Sequence, residues 1–365
     1  MVSRERKTPL YMQVYTAIRG AIETGELKRG QMLPAEKDLG LQYQVDRQTV
    51  RRSLELLVGE GLIEKRAGVG SFVKDYPELD ESAGGVGTAA FILPGAERGM
   101  DRITEPFNAK LFSSIEKQCR AESLHLTYTT VSRVDDLQRL PANVVGVFAV
   151  SRVADEVVKE LLRRQIPALV INDYRDFAVS IMEDSASGSC DGVNHLLELG
   201  HRRIAYLGGS PAYTTSEERY TGYVRALTAA GVAWHEMPRA DGDWTFDSGY
   251  RAMQEIMEGG PELPSAVFAA NDMMAFGAIH AISDAGLSVP DDISVLGFDD
   301  IDQSRYSLPP LTTIGVDVEL TAHVATMHLL QLTKTRSRAA YKVIIPTRLV
   351  VRSSTGPVGG RSSGA

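Results

Sequence analysis

The chain has 365 residues, too many for one ordinary domain and comfortable for two or three. Apolar residues at 43% and charged residues at 24% exclude extensive disorder, and no apolar run approaches the roughly 18 residues of a membrane span. The net charge of −8 conceals an asymmetry: residues 1–74 hold 13 Lys/Arg against 9 Asp/Glu, and the remainder hold 26 against 38. A basic head on an acidic body suits a protein that meets a polyanion with one end only.

The N-terminus, MVSRERKTPLYMQ, lacks the apolar core of a secretion signal, so a cytoplasmic location is expected. Cys119 and Cys190 stand far apart and form no C-x-x-C pair. Neither a disulfide framework nor a cysteine zinc site is expected, and a reducing compartment fits.

In chain order, the first predicted helix runs from Pro9 to Thr24, with Leu10, Val14, Ile18 and Ile22 at helical spacing and Gly25 as its stop. A second begins in LPAEKDLG, with Pro34 suited to a first helical turn. A third follows QVDRQTVRRSLELLVGEGL, with Asp46 as N-cap and Val50, Leu54 and Leu57 on its inward face. Arg47 and Arg51 fall on the opposite face, with Gln48 and Arg52 beside them and the Thr49 hydroxyl in the same turns. Guanidinium, amide and hydroxyl groups on the first turns of one helix can read base edges and phosphates in a major groove. LIEKRAGVGSFV then reads as two short strands joined by a glycine turn. Taken alone, paired arginines are ordinarily a solvated surface, and AGVGSF is a turn rather than a phosphate loop. Their order within one short segment outweighs those readings.

That segment, residues 9–73, resembles the winged helix-turn-helix of the GntR family of repressors, with PAEK, DRQTVR and GVGSF standing for the family's three motifs. The resemblance implies DNA contacts at Lys37, Arg47, Gln48, Thr49 and Arg51, with Gly68 at the tip of the wing. Lys37 replaces the usual arginine and offers a point-like ammonium in place of a bidentate fork.

Residues 75–86 are acidic, then glycine-rich, and read as a linker between a 1–74 head and an 87–355 body. In the body, TAAFIL, VVGVFAV, PALVIN, RIAYLGG, SAVFAA and ISVLGFDD read as buried parallel strands alternating with amphipathic helices such as 187–200 and 273–286. The fold class is therefore α/β and doubly wound, behind a winged helix-turn-helix head. The segment after Arg352 is low in complexity, and residues 356–365 are expected to be a disordered tail.

Ligands of open α/β sheets bind beyond the carboxyl ends of the strands. Those ends offer Pro94, Gly95, Ser151, Arg152, Asn172, Asp173, Asp184, Asn271, Asp272, Asp299 and Asp300, and nearby stand Thr214, Thr215, Arg219 and Trp244. Acids, amides and an arginine around an indole make a polyol pocket, although a strand-end Asp is more often a helix cap and a lone Trp more often core.

ELGHRRIAYLGG, SEERYTGYVRAL, GDWTFDSGYRAM, AVFAANDMMAFGAIHAI and GLSVPDDISVLGFDD follow in the order of the lac-repressor (LacI) family sensor domain, itself similar to periplasmic sugar-binding proteins. The resemblance implies two lobes and an effector held by Arg219, Trp244, Asn271 and Asp299, with Thr215 and Asp184 beside them. It places 87–183 plus 314–332 in the first lobe and 184–313 plus 340–352 in the second. The chimera resembles the arabinose-repressor class. The expected function is a DNA-binding transcription repressor, released from operator DNA by a sugar-like effector and acting as a homodimer, because two half-sites multiply the affinity of one winged helix.

A solute-binding protein for transport would explain the body but not the head. An effector-promoted or co-repressed regulator would explain both. An enzyme is not expected: the seven histidines are scattered, with no H-E-x-x-H, and no nucleophile, metal or cofactor signature is present.

Overall fold

The computed structural model describes residues 10–23, 27, 28, 30–59, 63–66, 70–73, 87–95, 102–335, 337 and 339–359. The head comprises α1 (Leu10–Glu23), α2 (Glu36–Tyr43) and α3 (Arg47–Gly59), followed by β1 (Ile63–Arg66) and β2 (Gly70–Val73). Val14, Tyr15 and Ile18 of α1 pack with Leu39 and with Val50, Leu54 and Leu57 of α3, so the helical spacing buries one stripe of each helix. Leu10 is the exception and stays exposed at the first residue of α1. The Asp46 carboxylate caps α3 by accepting the Thr49 amide at 2.8 Å, as its position ahead of the apolar stripe implies. Pro34 lies outside α2: Ala35 is the N-cap, so the proline precedes the helix instead of entering its first turn. β1 and β2 pair antiparallel, Ile63 opposite Val73, and Met32 bridges to Phe72 on the same ribbon. Gly25, the wing tip Gly68 and the 75–86 linker lie outside the described residues.

In the body, one six-stranded sheet contains β3 (Thr88–Leu93), β4 (His125–Thr130), β5 (Val144–Val150), β6 (Ala168–Ile171), β7 (Val179–Glu183) and β13 (Lys342–Ile345), all parallel, in the order β13-β7-β6-β5-β3-β4. α4 (Pro106–Ala121) and α10 (Val318–Thr335) cover one face and α5 (Asp155–Arg163) the other. The period-two rule explains the assignment. Ala89, Phe91 and Leu93 face α4 and α10, while Ala90 and Ile92 face α5. A strand buried on both faces has no reason to alternate with polar residues.

The second sheet contains β8 (Ile204–Gly208), β9 (Arg239–Asp241), β10 (Ala266–Ala269), β11 (Ser294–Asp299), β12 (Thr312–Val316) and β14 (Thr347–Val350), in the order β14-β12-β11-β10-β8-β9. Only β14 runs antiparallel to its neighbour. α6 (Ser185–Glu198) and α7 (Thr214–Ala229) cover one face, and α8 (Phe246–Glu258) and α9 (Asp272–Asp284) the other.

Among the described residues the chain crosses between the sheets three times, after Glu183, after Val316 and after Ile345. Two expected boundaries are corrected. Residues 314–316 belong to the second-lobe sheet, and 342–345 return to the first, because a single residue, Pro346, separates β13 from β14.

The expected tail also needs correction. Ser354 is fully buried and donates to the Val295 carbonyl, His201 Nε2 meets the Gly356 carbonyl at 2.9 Å, and the Val358 amide donates to the Leu199 carbonyl at 3.0 Å. Composition alone reads this glycine- and serine-rich segment as disorder. Residues 360–365 lie outside the described residues. Cys119 is buried and its thiol is pushed up to about 12 by that burial, which leaves it unreactive.

Candidate functional site: an interlobe cleft and a helix face

Both sheets point their strand ends at the gap between the lobes, and a polar cleft lies there. The first lobe contributes Arg102, Glu105, Phe107, Asn108, Ser151, Asn172 and Glu183; the second contributes Tyr213, Thr215, Arg219, Trp244, Asn271 and Asp299. Five of the second-lobe residues expected from sequence are thus brought together.

Arg219 organises the floor. It is 4% exposed, and its Nη2 donates to Glu183 Oε1 and Asp299 Oδ1, each at 3.0 Å. Its Nη1 donates to the Ala270 carbonyl, and its guanidinium lies 3.7 Å from the Phe298 ring centroid and 5.5 Å from that of Trp244. Two carboxylates therefore share one buried cation. Burial pushes the Asp299 carboxyl up to about 8, with Arg219 only partly opposing it.

Asn271 has two tasks. Its Oδ1 caps α9 by accepting the Met274 amide at 2.9 Å, and its Nδ2 donates to the Trp244 carbonyl at 3.0 Å. That second bond holds Trp244 at φ +73, a left-handed conformation costly for an aromatic residue. Ser151, Asn172, Asp299 and Asp300, all at strand ends, share this feature with φ of 60, 59, 113 and 53. Strain is concentrated where the strands deliver side chains to the cleft.

Behind the indole stands Gly209. A Cβ there would approach Trp244 Cη2 to 2.3 Å, so only glycine lets the ring lie against the backbone. Gly209→Ala is expected to push the indole into the cleft and raise the effector concentration needed for half-saturation by about tenfold, a displacement of about 1.4 kcal/mol. Titration of the purified variant checks it, and unchanged affinity would count against Trp244 as a wall of the site.

Asp184 does not line the cleft. Its carboxylate accepts the Ser187 amide at 3.1 Å as N-cap of α6, and the side chain that reaches the cleft is its neighbour Glu183. Asp300 instead pairs with Arg352 at 2.6 Å. Asp272 is fully buried, accepting the Ile301 amide at 3.0 Å and the Ser304 and Thr313 hydroxyls at 2.7 and 2.5 Å. It pins the turn that carries Asp299.

Burial likewise raises the Asp272 carboxyl, to about 7. A carboxyl whose folded-state pKa exceeds its unfolded value of 3.8 binds its proton more tightly in the fold, so stability falls as pH rises from about 4 to about 8. Burial lowers His195 and His201 below 6.5, which acts in the opposite sense only up to that pH. Between about pH 6.5 and 8 the wild-type chain is therefore expected to lose stability by about 1.4 kcal/mol per pH unit for each proton released. Asp299→Asn should flatten that slope in denaturant melts, and an unaltered slope would contradict the assignment.

On the first-lobe wall, Ser151 and Asn172 are strand-end residues that the sequence offered, whereas Arg102, Glu105, Phe107, Asn108 and Glu183 were not identified from sequence. Arg102 pairs with Glu105 at 3.1 Å and donates to Tyr213 Oη across the gap. Further bridges between the lobes join Thr214 to Asp173 at 2.6 Å, Lys110 to Asp302 at 3.0 Å and Lys342 to Glu218 at 2.9 Å.

On the head, Lys37, Arg47, Gln48 and Arg51 are exposed, and Thr49, half-buried, donates to Asp46 Oδ2 at 3.0 Å. Glu36 of α2 holds both arginines: Arg47 Nε at 2.8 Å and Arg51 Nη2 at 3.1 Å. Hydrogen bonds from Arg51, then Arg47, keep its carboxyl below the usual range. Arg52 turns aside and lies 4.1 Å from the Tyr11 ring centroid.

A winged helix-turn-helix with an exposed basic helix face, joined to a two-lobed α/β body, defines the class of DNA-binding transcription regulators. Residues 10–73 match the bacterial regulatory proteins of the gntR family, and residues 193–355 match the periplasmic binding protein-like domain. The probable HTH-type transcriptional repressor ExuR of Bacillus subtilis strain 168 is 33% identical over 232 residues, spanning 61% of this chain and 69% of that protein. A LacI family transcriptional regulator from Enterococcus faecium, solved with bound ribose, is 25% identical with a TM-score of 0.67, covering 74% of this chain and 99% of that one. A dimeric Lac repressor structure is 28% identical with a TM-score of 0.64, covering 73% and 99%. The chain belongs to these HTH-type transcriptional repressors, with a GntR head on a LacI-type body.

Among the described residues, no group of His, Cys, Asp and Glu could hold a metal ion, and no helix is long and apolar enough to cross a membrane.

Proposed function

We propose that a small sugar-like effector, held between the lobes, releases the head from operator DNA. The observation that carries this reading is the polar cleft itself. Asn172 Oδ1, Arg219 Nε and Trp244 Nε1 are buried in its wall without a hydrogen-bond partner. Buried polar atoms are ordinarily satisfied, so an acceptor and two donors left over around an indole fit the hydroxyls and C–H face of a sugar. Ribose in the E. faecium relative agrees with that chemistry.

A ligand gripping both lobes favours one arrangement of them by its differential affinity, which bounds the switch. In a homodimer, which the Lac repressor structure supports by likeness, that arrangement re-aims two heads against two half-sites. Lys37, Arg47, Gln48, Thr49 and Arg51 make the DNA contacts, residues 75–86 link a 1–74 head to an 87–355 body, and the protein acts in the cytoplasm beside its operator. The test is operator binding by fluorescence anisotropy across a panel of sugars. Sugar-dependent loss of affinity is expected; sugar-dependent tightening would indicate co-repression.

A further inference from the structure

The cleft does not end at Trp244. A second chamber adjoins it, and both share Glu105, Phe107, Trp244, Asn271 and Asp299 as walls. The chambers differ in chemistry. The inner one adds Ser151, Asn172, Glu183, Thr215 and Arg219, whereas the outer one adds Pro106, Phe246, Met273 and Ile301. Resting on the reading of the cleft as a sugar site, we propose that the effector is a glycoside of two or more units, with its first sugar in the inner chamber and its second unit in the outer one.

The length follows from the outer walls. Four apolar side chains beside Phe107 and the Trp244 indole offer little to a lone polar ring seated on Arg219. They suit a second unit that presents a C–H face while its edges meet Asp247 and the threonines at 104 and 245. A linkage passing between Phe107 and Trp244 joins the two environments.

The experiment is calorimetric titration of the full chain with cellobiose, maltose, melibiose and lactose, against glucose, galactose, glucosamine, glucuronate and glucose 6-phosphate. It is repeated on Met273→Trp, which fills the outer chamber, and on Phe246→Ala, which strips its wall. At least one disaccharide is expected to bind about tenfold or more tighter than its component monosaccharides and than the charged sugars. That preference should shrink by about as much in both folded variants. A monosaccharide or charged sugar binding as tightly as every disaccharide would overturn the inference while leaving the sugar response standing. So would a disaccharide preference that both variants retain. Binding of none of the nine compounds would overturn the sugar reading itself.

Discussion

Arg219→Ala is expected to destabilise the body by about 3–5 kcal/mol and to abolish its response to effector. The size follows from what the side chain leaves behind. Glu183 and Asp299 are 2% and 8% exposed, and both lean on one guanidinium at 3.0 Å. Without it two buried carboxylates face each other, and one must take up a proton or draw in water. Protonation of Asp299, already pushed up to about 8, softens the loss and makes it pH-dependent. Arg219→Lys keeps the charge but not the fork that spans Glu183, Asp299 and the Ala270 carbonyl, so it should recover only part of the stability. Denaturant titration of both variants checks this. A loss below about 1 kcal/mol in Arg219→Ala, the size of an exposed ion pair, would contradict the buried three-way contact.

The second large effect belongs to the head. Arg47→Ala and Arg51→Ala are each expected to weaken operator binding by about 1–3 kcal/mol while the fold and effector binding persist. The side chains are 70% and 53% exposed, so little packing is lost, and the buried stripe of α3 lies on the other face. Glu36 fixes both guanidinium groups beside α2, which reduces the side-chain entropy lost on docking. Salt titrations separate the roles: loss of a phosphate contact lowers the salt slope by about 1, whereas loss of a base contact relaxes sequence preference. Wild-type operator affinity in both variants would remove α3 from the interface.

The head was largely legible in the sequence because its signals are local. The Asp46 cap and the Val50, Leu54, Leu57 stripe need only helical spacing, and both stand in the structure. Six of the body's strands, β3, β5, β6, β8, β10 and β11, were legible for the same reason, as apolar runs, whereas VSIME of β7, TTIGV of β12, the half-buried HLTYTT of β4 and the three-residue β9 mix in polar residues or are too short to stand out.

The cleft divides along the same line. Arg219, Asn271 and Asp299 sit on regular elements, at a helix face and two strand ends. Glu183 and Asp184 are adjacent acids at a strand end, and the turn into α6 decides which one caps and which one reaches the cleft. Arg102 and Tyr213 meet across a separation of 111 residues and only through apposition of the lobes, which no local pattern encodes. The 353–358 segment misled because its order comes from His201, Val295 and Leu199, all remote in sequence.

The most direct test of the central claim is operator affinity of the full chain with and without the sugar that releases the wild type, measured in parallel on Asp299→Asn. Asparagine keeps the volume and an acceptor for Arg219 while removing the carboxylate that the closed cleft presents to the ligand. Operator affinity without sugar should match the wild type, because α3 and its arginines are untouched. Release should fail at sugar concentrations that free the wild type completely. Release of Asp299→Asn at the wild-type concentration would contradict the placement of the effector between the lobes.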